Sequence, residues 1–188
     1  EIMRLGDVVQ STPTPVGRPS EGYNLLYGDQ SYNEFARRWA QRRTVVYVGA
    51  NDVMLHAFNS GFYNATTKRF DTSRSGATAH PLGAELWAYV PFNLLPHLRW
   101  LTENNYAHQY YVDGKPKVFD ARIFSPESAC STDPSNSACI HPNGWGTILI
   151  GGFRMGESCG ACAASTGAPT MTVTIGGTAR NFYTAYFV

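Results

Sequence analysis

At 188 residues the chain is long enough to bury one domain-sized core, and its low charged fraction of 15% beside 13% aromatics excludes a solvated, disordered tail. With 15 Lys and Arg against 14 Asp and Glu the formal charge is +1, so the sequence offers no basic stripe for nucleic acid. No apolar run approaches the roughly 20 residues of a membrane helix.

The chain opens at Glu1 without a leader, so any signal peptide would lie outside it. A Pro- and Gly-rich loop runs from Ser11 to Gly22. Ser31-Tyr32-Asn33-Glu34 fits a capping box, and Phe35 and Trp39 then share one face, which predicts a short helix from Tyr32 to Gln41. Arg37 and Arg38 on that helix, with Arg42 and Arg43 at its end, read for the most part as a solvated face or as partners of scattered carboxylates. Thr44 to Gly49 is β-branched and aromatic, Asn51-Asp52 signals a turn, and Met54 to Phe58 resumes a strand, which predicts a hairpin. A loop from Asn59 to Pro81 leads to a strand from Gly83 to Pro91, and Pro91 to Asn105 suits a helical turn or two. Two further strands, His108 to Val112 and Lys117 to Ile123, would be joined by the turn signal Asp113-Gly114.

Sliding the chain on itself aligns Val46 to Gly49 and Met54 to Phe58 with Leu149 to Gly152 and Phe182 to Phe187. Gly49 and Gly151 are 102 positions apart, which suits two blade lengths of a propeller. The aromatic run Asn181 to Val188 stops without a polar tail. We therefore expect a piece of a larger protein, poorly soluble alone because a strand edge lies uncovered.

The block Val46 to Asn59, completed by Gly83-Ala84-Glu85-Leu86-Trp87-Ala88-Tyr89-Val90-Pro91, resembles one blade of a quinoprotein-like β-propeller. Arg4 to Pro13, Tyr111-Val112-Asp113-Gly114 with Asp120-Ala121, and Gly146 to Gly152 narrow the resemblance to the PilC/PilY family of type IV pilus biogenesis factors and tip adhesins. The resemblance implies an all-β chain, residues 1–188, forming a single partial quinoprotein-like β-propeller with antiparallel blades and one short helix. It implies an exported protein at the pilus tip, outer membrane or cell surface, without catalysis. Such a protein would promote pilus extension with minor pilins, contact surfaces or host cells, and pack against the remaining blades of the same protein.

The chain departs from the family pattern in two ways. Val53 stands where relatives place Gly after Asn-Asp, which argues against a positive-φ turn there. Residues 124–143 and 154–181 look like insertions. The calcium loop of the family follows later blades, no Asp-x-Asp-x-Asp-Gly pattern occurs here, and no cofactor is expected in this segment.

All four cysteines lie in the insertions. In an oxidising compartment Cys130, Cys139, Cys159 and Cys162 are disulfide candidates, with Cys130–Cys139 and Cys159–Cys162 favoured among three connectivities. A zinc site using these thiolates, with His141 as a substitute ligand, is the alternative. Cys159-Gly160-Ala161-Cys162 has redox-motif spacing but lacks the strand-then-helix context, and no Cys-x-x-Cys-His occurs. His56, His80, His97, His108 and His141 lack metal-binding spacing, and His56 reads as a hydrogen-bonded strand residue. Trp87, Trp100 and Trp145 suit packing between blades, while Tyr106, Tyr110 and Tyr111 are open to an adhesive role. The rival reading is a quinoprotein dehydrogenase, which would ordinarily carry adjacent cysteines that this chain lacks. A purely structural scaffold is the third.

Overall fold

The computed structural model describes residues 5–104, 106, 108–153, 172–181 and 186–188. Antiparallel strands dominate. The first sheet runs β1 (Thr14–Val16), β2 (Thr44–Gly49), β3 (Leu55–Asn64) and β4 (Arg69–Asp71), with β5 (Glu85–Tyr89) also pairing β3. The first half of β3 pairs with β5, Leu55 opposite Tyr89, and the second half with β4, Phe62 opposite Asp71. The second sheet runs β6 (Lys117–Arg122), β7 (Trp145–Gly152) and β10 (Tyr186–Phe187), in the order β10-β7-β6. A separate hairpin joins β8 (Thr172–Ile175) and β9 (Thr178–Asn181). The hairpin echo is visible in the pairing, since Gly49 faces Leu55 in the first sheet and Gly151 faces Phe187 in the second.

Several expectations need correction. The stretch from Asn59 to Pro81 is not all loop, because β3 continues to Asn64 and turns back through β4. His108 to Val112 is not a strand, and Asp113-Gly114 does not close a hairpin. Strand β6 pairs with β7 instead, Lys117 opposite Ile150 through Arg122 opposite Trp145. The preceding segment spends its backbone bonds across the fold. The Tyr111 amide donates to Asn51 Oδ1 at 3.2 Å and the Gly114 amide to the Gly152 carbonyl at 2.9 Å. Tyr111, at 1% exposure, thereby becomes core and has no adhesive surface to offer.

This crossing also explains two glycines. A Cβ on Gly49 would strike the Val112 carbonyl, and one on Gly114 would sit 2.5 Å from the Gly152 carbonyl oxygen. Neither position leaves room for a side chain where the segment bridges the two sheets.

The helix is α2 (Gln30–Arg38), earlier at both ends than the sequence suggests, and it is not alone. Helices α1 (Tyr23–Leu26) and α3 (Ser128–Thr132) and a 3₁₀ stretch from Phe92 to Thr102 accompany it. Its N-cap is Asp29, not Ser31. The Asp29 carboxylate accepts from the Tyr32 amide at 3.1 Å, and its charge complements the positive end of the helix dipole. Ser31 donates to Asp29 Oδ1 and accepts from Trp145 Nε1, while Glu34 reaches across to Asn143 at 2.7 Å.

The turn after β2 also differs from expectation, because Val53 adopts φ 69° despite its branched side chain. Its side chain is fully buried in the main core with Leu55, Leu94, Tyr111, Val112 and Phe153. Each such burial contributes about 1.5–3 kcal/mol, which outweighs the roughly 1–2 kcal/mol of the left-handed backbone. A second core joins α2 to β7 through Tyr32, Phe35 and Trp145. There Tyr32 meets Trp145 edge-on at 4.9 Å. Trp145 is thus buried against helix α2 and not between blades, Trp87 remains 43% exposed against Tyr47, and the Trp100 side chain lies outside the described ones.

Candidate functional site

Three polar nodes tie distant segments together, and an apolar groove opens between the sheets. The first node is built on His56 in β3, which is 4% exposed. Its Nδ1 lies 2.6 Å from Glu85 Oε1 on β5, and its Nε2 lies 3.0 Å from Asp52 Oδ1 in the turn. Asp52 also accepts from the Gly6 amide at 2.8 Å and the Met54 amide at 3.2 Å. Burial opposes protonation of His56, but the two flanking carboxylates outweigh it and raise its pKa. Burial likewise works against the Asp52 carboxylate, and the bonds from His56 and Gly6 overcome it and lower its pKa. With both ring nitrogens engaged, His56 acts as a clasp between strand, turn and N-terminal segment.

The second node lies between α2 and the second sheet. Buried Asp120 on β6 accepts from the Tyr32 hydroxyl at 2.8 Å and from Thr147 Oγ1 at 2.7 Å. The Tyr32 oxygen in turn accepts from the Glu21 amide, and Arg42 donates to Thr147 Oγ1 and to the Gly17 carbonyl. Burial and the Asp120 carboxylate raise the Tyr32 pKa far above its usual value. Burial lowers that of Arg42. Nothing in the sequence pointed to this node, because hydrogen-bonded partners in it lie up to 105 positions apart.

The third node surrounds the disulfide Cys130–Cys139. Glu127 accepts from the backbone amides of Ile140 and His141 at 2.9 Å each, and its other oxygen meets His141 Nδ1 at 2.6 Å. The His141 amide is the largest influence holding Glu127 down at about 2. Ligand atoms of Glu127, Cys130 and Cys139 fall within 4.8 Å of one another, yet both sulfurs are in the S–S bond and neither is the thiolate zinc requires. Cys159 and Cys162 lie outside the described residues. Arg38 donates to the carbonyls of Asn136, Ser137 and Cys139, and Trp39 Nε1 to that of Ile140, so the loop is fastened to the end of α2.

Of the four arginines expected to form a solvated face or to pair with carboxylates, Arg38, Arg42 and Arg43 donate instead to carbonyl and hydroxyl oxygens. His108 pairs with Asp7 at 2.9 Å on the surface. The apolar groove, of about 590 Å³, is lined by Trp87 and Tyr89 of β5, Ile148 and Leu149 of β7, Phe124 and Phe187.

Two sheets of short antiparallel strands with matching hairpins, bridged by an irregular segment, define a β-propeller type of architecture. The family model for the PilY1 beta-propeller domain matches residues 5–130, and the chain belongs to that family. It is 32% identical over 161 residues to a type IV pilus biogenesis factor PilY1 homolog of Xylella fastidiosa, and equally so to PilY1 of Pseudomonas aeruginosa. Each alignment covers 81% of this chain but 10% of the relative, so the chain spans about a tenth of their length. No solved structure matches the chain. No helix among the described residues is long and apolar enough to cross a membrane.

Proposed function

We propose that this chain is a propeller segment of an exported type IV pilus biogenesis factor that works by binding, without catalysis. In this reading residues 1–188 belong to one incomplete propeller, and further blades of the same protein cover the apolar groove at Trp87 and Tyr89. The assembled protein promotes pilus extension with minor pilins and contacts surfaces or host cells at the pilus tip. A calcium site belongs to another part of the protein.

The observation that carries the reading is the 32% identity to PilY1 factors across 81% of the chain. The nodes are consistent with it, because His56 and Asp120 spend their polar atoms on neighbouring segments of the same chain and so hold its fold together. The test is co-purification of the intact protein with minor pilins from piliated cells, alongside alcohol oxidation after incubation with pyrroloquinoline quinone. Pilin recovery without turnover is expected. Quinone-dependent turnover would replace this reading with the dehydrogenase.

A further inference from the structure

A second groove, of about 720 Å³, lies between the end of α2 and the β3–β4 hairpin. Arg18, Arg42 and Arg74 reach it from three separate segments, and Asp71 is the one carboxylate in its lining. Among the described residues none of these arginines pairs with a carboxylate. Arg42 is occupied by Gly17 and Thr147, and Arg74 Nη1 donates to the Gln41 carbonyl at 2.5 Å. Arg18 is exposed and makes no hydrogen bond among the described residues. Arg42 feels the Asp120 carboxylate through Thr147, so the positive charge that the groove offers a ligand is that of Arg18 and Arg74, against the single carboxylate of Asp71.

The rest of the lining narrows what that charge would meet. Tyr63 and Phe70, with ring centroids 5.5 Å apart, are 59% and 43% exposed, so an aromatic surface stands open at the rim. Beside it Asn64 donates to Asp71 Oδ2 at 2.9 Å, leaving the second Asp71 oxygen as an acceptor. Thr66, Ser73 and Gln41 add neutral polar groups. Guanidinium groups bind carboxylates through paired hydrogen bonds, aromatic faces suit the apolar face of a sugar ring, and acceptors are needed for its hydroxyls. A saccharide presents hydroxyl donors all round its ring for the free Asp71 oxygen, and its carboxylates are spaced so that they can lie on the arginines away from Asp71.

We propose that this groove binds a carboxylated saccharide, a uronic-acid type of glycan, with Arg18 and Arg74 on the carboxylates, Tyr63 under a ring and Asp71 on a hydroxyl. The proposal rests on the adhesive part of the reading above and gives the chemical class of surface contacted. The intact protein is titrated with oligogalacturonate, with its methyl ester and with a single-stranded oligonucleotide, and adhesion of cells carrying each variant is scored in parallel. Binding of the free acid that weakens with salt, disappears on esterification and falls roughly tenfold for each of Arg18→Gln, Arg74→Gln and Tyr63→Ala is expected. These side chains are exposed or at the rim, and unchanged thermal melts establish that the variants fold. Equal binding of the ester, preference for the oligonucleotide, undiminished binding by the variants, or no binding at all would each overturn it. Adhesion that persists without uronate binding removes the groove and leaves the adhesive reading. Uronate binding by the intact protein, in cells that show no adhesion even with the unmutated groove, removes the adhesive reading and leaves the groove.

Discussion

Tyr32 and Asp120 stand 88 positions apart in sequence and share a buried hydrogen bond of 2.8 Å, so helix α2 is fastened to the second sheet by a hydroxyl and a carboxylate. Tyr32→Phe keeps the ring packing on Trp145 and removes that bond together with the one from the Glu21 amide. A bond to a charged acceptor contributes about 1.5–3 kcal/mol, and Asp120 retains Thr147 as a donor. Urea unfolding should register a loss of about 2 kcal/mol. Thr147→Val should cost a similar amount and, because both act on Asp120, the double variant should be non-additive.

The His56 clasp gives stability a defined pH dependence. Since the folded pKa of His56 is raised, its contribution is full below the ordinary value of 6.5 and is lost as pH rises through the folded value. Asp52 has a lowered folded pKa, so its contribution is full above 3.8 and is lost as pH falls through the folded value. Both are complete between 3.8 and 6.5. Melting temperature followed against pH should decline above 6.5 in the wild type, and His56→Gln should flatten that decline. An identical alkaline limb in the variant would show that another group causes it.

At Val53, backbone and side chain pull in opposite directions. Val53→Ala removes buried methyls and keeps a Cβ at positive φ, costing about 2 kcal/mol. Val53→Gly removes more side chain but relieves about 1–2 kcal/mol of backbone strain, so its net cost should be about 1 kcal/mol. Glycine should therefore be the milder substitution, the reverse of the usual order, and calorimetric melting of the two variants decides it.

The disulfide closes a short loop, with a sequence separation of 9, which Arg38, Trp39 and Glu127 hold from outside among the described residues. Its chain-entropy contribution is about 2–3 kcal/mol. Replacing both Cys130 and Cys139 by Ser should lower stability by that amount and speed amide exchange at Ile140 and His141. Unchanged exchange there would mean that Glu127 alone holds the loop.

The hairpin of β2 and β3 and the strand β5 could be read from sequence because β-branched and aromatic residues cluster between turn signals, a purely local code. Asp113-Gly114 carries equally strong local chemistry and misled, since the partners of its segment, Asn51 and Gly152, are remote and their bonds prevailed over the hairpin. The cap of α2 was misplaced by two residues because Asp29 and Ser31 are both good caps, and Trp145, far away, drew the Ser31 hydroxyl. Among the site residues His56 was legible as a bonded strand residue, whereas Glu85, 29 positions on, was not. The arginine groove was hidden behind a net charge of +1, a total that says nothing about where charges gather.

The central claim, a propeller segment acting in type IV pilus biogenesis, is tested most directly by counting surface pili in the native host. The chromosomal gene is deleted and complemented either intact or with residues 5–153 excised, with export of both forms verified by immunoblot. Restoration of pili by the intact gene and their loss with the excised form is the predicted result. Full piliation by the excised form would contradict it.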